Sequence, residues 1–279
     1  MKLLKSKRFR ALLLALFFVA LYMRHIYSAE QEFYSVDYEK TDISEIVRKK
    51  ALSEKDYDII FDNTGVSPSA SRELIEEKKL STLEELNDLY FEKPLIKKEF
   101  IAFPVTVGEL NKGRKTPLVN LKKGDVLVTY NTHTLDWRHG HCGLVMDAER
   151  GILLEHMSIG YKSCLTYMSN WEKYPSFAVL RCPDEKVAEK AVNYAKNNLI
   201  GATYNILAGV IKKDKTGDDE TISSHCSHII WQAYKAAGID IDKTGGIFVT
   251  PENLAMSDKL EVVQIYGLNP KYYKDRLSK

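Results

Sequence analysis

The chain has little net charge, few cysteines and no apolar run of membrane-spanning length. Its 40 lysines and arginines stand against 38 aspartates and glutamates, a net charge of +2. That balance gives no electrostatic basis for a polyanionic partner, and no aromatic-interleaved basic patch points to nucleic acid. Four cysteines in 279 residues are too sparse and irregular for a disulfide-stapled scaffold, and a chain this long can bury a core without one. No bridge is assigned. Neither C-x-x-C nor H-E-x-x-H occurs, so the familiar zinc spacings are missing too. The apolar stretch from Ala11 to Met23 has 13 residues, short of the roughly 20 needed to cross a bilayer comfortably.

What that stretch fits is export. Lys2, Lys5, Lys7, Arg8 and Arg10 form a basic head before it, and Arg24 and His25 interrupt it. Tyr27-Ser28-Ala29 offers a cleavage site, with a bulky residue at its first position. Residues 1–29 are therefore read as a signal peptide or an N-terminal membrane anchor. The remainder is expected to be secreted or held at the outer face of the cytoplasmic membrane.

Residues 30–98 read as a polar linker followed by a small helical unit. Thr41-Asp42, Ser53, Ser69 and Ser81-Thr82 each precede apolar residues at helical spacing, and Pro94 closes the series. A succession of short helices could suggest a helix-turn-helix DNA reader, but export and plentiful acidic residues argue against it. From about residue 99 the period changes to that of strands. Candidates are Phe100 to Val107, Val126 to Tyr130, His141 to Asp147, Ile152 to Met157, Cys164 to Met168 and Phe177 to Arg181. Ala148-Glu149-Arg150-Gly151 makes the third and fourth a hairpin. A helix capped by Pro183-Asp184 follows, then a loop rich in Lys, Asp and Gly over 212–220, then a last helix. Antiparallel strands with helices segregated to the end describe an α+β domain over 99–279.

That last helix opens on a cysteine. Ser223 or Ser224 is a suitable cap, which places Cys226 in the first turn, and Ile229, Ile230, Ala233, Tyr234 and Ala237 recur at helical spacing until Gly238. Free N–H groups and the helix dipole at such a position favour a thiolate. A lone cysteine on an apolar face is more often core filler, so the reading needs a base. The third strand supplies His139 and His141 on one face, with Gly140 and Gly143 leaving room for another backbone or a substrate. An imidazole beside a thiol can take its proton and return it to a leaving group, whatever the chain order. A third group must orient the imidazole. If paired residues of the hairpin sum to 298, Glu155 shares the face of His141; if 299, His156 and Ser158 do.

Together the segments Gly124-Asp125-Val126-Leu127-Val128, Gly140-His141-Cys142-Gly143-Leu144-Val145, Leu153-Leu154-Glu155, Tyr204, and His225-Cys226-Ser227 with Tyr234 and Gly238-Ile239 resemble the motifs of the NlpC-type papain-like peptidases. In the standard arrangement the tyrosine and Cys-Ser motifs come first. Here the order is reversed, as in the circularly permuted branch, the YiiX-like amidases and hydrolases, which is similar in ordering to the lecithin:retinol acyltransferase-like proteins. The resemblance covers roughly residues 99 to 265. It implies a permuted papain-like domain, an antiparallel sheet packed on helices with the cysteine at a helix N-terminus. It also implies Cys226 as nucleophile, His141 as base, Glu155 as the polar third member, and Tyr204 beside the Cys226 backbone N–H at the oxyanion. No cofactor or metal is implied. The expected partner is a cell-wall peptide or an acyl-lipid substrate, with a possible membrane tether through the N-terminus. Cys142 stands where small aliphatic residues are usual, and the hairpin between His141 and Glu155 is longer than is common.

Three rivals share these residues. His139, His141 and Cys142 near His225, Cys226 and His228 could supply zinc ligands. A catalytically inactive module could bind cell-wall peptides or acyl chains in the same groove. Thioester, ester or lipid-amide transfer could replace amide hydrolysis on the same machinery.

Overall fold

The structure, a computed structural model, describes residues 11–20, 32–102, 105–135, 137–209, 223–246 and 248–278. The cleavage site Tyr27-Ser28-Ala29 and the 212–220 loop lie outside the described residues. Residues 11–20 form helix α1, every residue of which is exposed. Among the described residues no helix is long and apolar enough to cross a membrane.

The helical unit consists of α2 (Ser44–Val47), α3 (Glu54–Thr64), α4 (Pro68–Glu76) and α5 (Leu80–Phe91). Ser53 caps α3 as its spacing predicts. Its hydroxyl accepts from the Asp56 N–H, and the Asp56 carboxylate accepts from the Ser53 N–H at 2.8 Å, which closes both halves of a capping box. The cap of α4 is Ser67 and not Ser69. Pro68 explains the shift, because its fixed φ and missing N–H suit the first helical position and leave the preceding serine as cap. Helix α5 starts at Leu80, so Ser81 and Thr82 lie inside it, and Lys79 at the cap position makes no side-chain cap bond. Lys78 takes a left-handed conformation (φ 59°), and this sharp turn out of α4 starts the next helix early.

Where one strand was expected from Phe100 to Val107, two run as a hairpin: β1 (Ile96–Ala102) and β2 (Val105–Leu110). Pro104 falls within the expected strand and lacks the N–H a continuous ladder needs. The chain continues through β3 (Val126–Thr129), β4 (Thr132–Thr134), β5 (Trp137–Arg138), β6 (His141–Asp147), β7 (Ile152–Glu155), β8 (Cys164–Tyr167) and β9 (Phe177–Arg181). Then come α6 (Glu185–Asn198), β10 (Thr203–Tyr204), β11 (Ser223–Ser224), α7 (Cys226–Ala236), α8 (Pro251–Ala255) and β12 (Glu261–Tyr266). The main sheet has six strands in the order β12-β9-β3-β6-β7-β8, every neighbouring pair antiparallel. Strands β1-β2-β4-β5 form a second antiparallel sheet. The molecule is an α+β fold.

Both faces of the main sheet are covered. Val126, Val128, Cys142, Leu144, Leu154, Ala178 and Leu180 face one way and form one buried cluster with α6 and α7. Leu127, Val145, Leu153, Val179 and Val263 alternate to the other face, where they join Ile60, Leu74, Leu83 and Leu86 of the helical unit. Those helices therefore share a core with the sheet, and the expected boundary at residue 99 falls inside β1. The chain between α3 and α4 also hydrogen-bonds along β12: Ser67 N–H to the Val263 carbonyl at 2.9 Å and Ile265 N–H to the Gly65 carbonyl at 2.8 Å. This covers an edge that would otherwise be open to pairing.

Candidate active site

Cys226 is the first residue of α7 and is buried, 8% exposed. The expected caps are not its caps. Ser223 and Ser224 form β11, paired in parallel with β10 (Thr203 opposite Ser223, Tyr204 opposite Ser224), and His225 occupies the cap position with extended backbone and no side-chain cap bond. The sequence placed the thiol correctly in the first turn, where backbone N–H groups have no intrahelical acceptor. The strand pairing brings Tyr204 beside that turn.

His141 is the first residue of β6. The β6–β7 register pairs Gly143 with Glu155, Leu144 with Leu154 and Val145 with Leu153. These pairs sum to 298, so Glu155 shares the face of His141. The register shifts between Val145 and Asp147, a bulge that absorbs the longer hairpin without altering parity at the site. His141 Nε2 donates to Glu155 Oε1 at 2.9 Å, with both side chains buried. That leaves Nδ1 as the nitrogen available to Cys226, the other side chain that acts on this imidazole. His156 and Ser158, the alternatives for the third position, are placed differently. The His156 ring sits edge-on to Tyr204 at 4.9 Å between centroids, and its Nε2 donates to the Tyr161 carbonyl at 3.3 Å. His139 bonds to the Gly140 carbonyl and to Thr134.

Strand alternation assigns His141, Gly143 and Glu155 to the face of the helical unit, whereas α7 packs on the opposite face. Thiol and imidazole meet because each stands at the end of its element. The site straddles one end of the sheet.

Charge follows from this arrangement. Burial pushes the Cys226 thiol up, but hydrogen bonds and charge from His141 and His225 outweigh it and hold the thiol well below its ordinary value. Burial lowers His141, and its bonds to Cys226 and Glu155 outweigh that, carrying it up to about 10. Burial raises Glu155, and His141, Thr166 and Trp171 bring it below the usual carboxylate range. Thiolate, imidazolium and carboxylate form a line of alternating charge. Burial and the thiolate together raise the Tyr204 hydroxyl, while burial lowers the His156 imidazole to about 4 and keeps it neutral.

Residues that the sequence did not single out complete the support. Trp171 Nε1–H donates to Glu155 Oε1 at 2.9 Å, and its ring stacks on His141 at 5.8 Å and 26°. Thr166 on β8 donates to the other carboxylate oxygen. The space left by Gly143 is filled by the Trp171 indole, 3.1 Å from where a Cβ would sit, and that left by Gly140 by the Thr129 carbonyl at 2.6 Å. Neither glycine opens room for a substrate. Trp171 lies in the 3₁₀ segment Met168–Lys173, which has no periodicity to reveal it; the only hint was the glycine whose place it takes.

Among the described residues no three His, Cys, Asp or Glu side chains are grouped to hold a metal. His228 Nδ1 instead pairs with Ser224 Oγ at 2.9 Å. All four cysteines are free thiols. A cavity of about 350 Å³ between Tyr34, Tyr38, Asp62 and Lys274 touches none of the residues above. No family model, curated protein or solved structure matches the chain.

Proposed function

We propose that the chain is an exported cysteine hydrolase with a permuted papain-like domain, acting on an amide of the cell envelope, most directly a peptidoglycan stem peptide. The observation that carries the reading is one buried imidazole hydrogen-bonded to Glu155 through Nε2, close enough to the Cys226 thiol that each shifts the other's protonation. In this reading the thiolate attacks the carbonyl carbon, and the oxyanion is met by the Cys226 N–H at the start of α7 and by Tyr204. The tetrahedral adduct expels an amine that takes the proton from His141 Nδ1. A water then gives a proton back to His141 as it attacks the thioester, and the sulfur departs as thiolate. Glu155 holds the imidazole ring and its charge throughout.

Esters or lipid amides are the second reading, favoured by Ile206 and Leu207, which follow Tyr204 and are 51% and 47% exposed. Purified muropeptides and acyl-lipids, each incubated with wild type and with Cys226→Ala, separate the two by mass spectrometry. Cleavage of a muropeptide amide by wild type alone is the expected result. Cleavage confined to the lipids selects the second reading, and no product from either, or equal product from the variant, removes the hydrolase.

A further inference from the structure

The second sheet ends in an apolar tip that the chemistry above does not use. Val105, which opens β2, pairs with both Ala102 and Thr134, and Thr134 pairs with Trp137. The turn of the β1–β2 hairpin and the turn of the β4–β5 hairpin therefore lie side by side at one end of the sheet. Phe100, Leu135 and Trp137 stand at that end with 68%, 73% and 47% of their surface exposed. Leu135 is in the left-handed region (φ 49°), where Asn or Gly costs less. Neither the turn nor packing calls for a leucine there, so its apolar side chain points to something outside the fold. Phe and Leu beside a Trp are the combination that settles at a bilayer–water boundary, with the apolar rings inward and the indole N–H at the headgroups.

The path of the chain indicates which surface covers the tip. Glu32 is buried, its carbonyl accepts from Asn131 Nδ2 at 2.9 Å, and its carboxylate lies 3.3 Å from His133 Nε2. His133 is on β4, two residues before Leu135, so the N-terminal segment enters the body beside the tip. Upstream of it stands α1, with Leu12, Leu16, Phe17 and Phe18 among its exposed side chains. We propose that the two hairpin tips, through Phe100, Leu135 and Trp137, dock on a lipid bilayer as a second point of attachment. One short apolar element binds a membrane only marginally, and stable anchoring takes two. The inference rests on reading residues 1–29 as an export segment or anchor, and not on the chemistry at Cys226. It also orients the candidate site. The Thr134 hydroxyl donates to His139 Nε2 at 2.9 Å, and His141 follows Trp137 by four residues, at most about 14 Å of extended chain. The imidazole is thereby held beside the membrane surface.

Tryptophan emission tests this in the full chain. Of three tryptophans, Trp171 and Trp231 are buried and Trp137 is exposed. The chain is bound to vesicles of equal parts phosphatidylcholine and phosphatidylglycerol, the phosphatidylcholine acyl chains carrying bromine near the headgroup, where it quenches an indole in contact with it. Relative to unbrominated vesicles, wild type should lose about a third of its emission, one tryptophan's share of three. Trp137→Phe should lose none. Leu135→Asn, whose side chain suits the left-handed turn, should still bind through the N-terminal segment and show little quenching. Bound chain with unquenched emission overturns the proposal and leaves the anchor reading intact, and quenching that persists in Trp137→Phe also overturns it. A chain that stays in solution overturns it together with residues 1–29 as an anchor. Sedimentation without lipid checks the other occupant: a dimer that Leu135→Asn dissociates assigns the tip to a second copy and overturns the bilayer. None of these readouts involves Cys226, so the hydrolase reading stands or falls separately.

Discussion

Glu155 is the side chain whose removal should be felt most sharply beyond Cys226 and His141 themselves. A buried imidazolium has lost its hydration, and leaving it without a counter-charge costs about 3–5 kcal/mol. In Glu155→Gln the amide can still accept from His141 Nε2 but no longer opposes the charge. His141 should fall back towards 6.5, its ordinary value, and turnover should drop by about 10²–10³-fold, while Cys226 remains alkylable. Unchanged turnover would take Glu155 out of the site. The pH dependence has a definite sign. The folded value of His141 lies above the unfolded one, so its stabilising contribution is complete below about 6.5 and is lost as pH rises through about 10. Glu155 has the opposite sense: its contribution is present above the ordinary carboxylate range and is lost as pH falls through its lowered value. Wild-type kcat/KM should therefore hold across neutral pH and decline towards pH 10. A profile that already halves near pH 6.5 on its alkaline side contradicts the ion pair.

Among the elements, the caps and the hairpins show what a sequence can and cannot disclose. Ser53 was legible because a serine and an acid three residues on satisfy each other locally. Its replacement by Ala should lower stability by about 1 kcal/mol, or a Tm drop of about 2–3 °C for a chain of this size, measured by thermal unfolding; no shift would mean that packing alone fixes the start of α3. Ser69, Ser81 and Ser223 misled because the deciding features lay elsewhere, in Pro68, in the left-handed Lys78 and in the pairing of β11 with β10. The strands from β6 to β9 were legible from alternation, and parity reduced the third member to two outcomes. Choosing between them required the register, a tertiary fact set by the turn and its bulge. Trp171 and Thr166 gave no local sign, since what places them is contact with a carboxylate on another strand. Strand β12 was missed although its run of Val262, Val263 and Ile265 is apolar, because it pairs with a strand some eighty residues earlier.

For the whole molecule, the sheet sandwiched between two helical layers assigns the helical unit a place that the sequence left open. Trp171 belongs to the cluster containing Ile60, Leu83 and Leu86, so the packing of α3 and α5 bears on the side chain that holds Glu155. Cys226 opens the helix whose Ile229, Ile230 and Ala233 belong to the opposite cluster. Hydrogen exchange of the intact chain, before and after covalent acylation of Cys226, should show slower exchange in α3, α5 and α7 together. Slowing confined to α7 would mean that the layers respond independently. An acyl group lodged between sulfur and imidazole would act as a rivet through both plates of the sandwich. Under the proposed hydrolase chemistry the most tightly clamped state would be the acylated one, and release of the acyl group would let the plates loosen again.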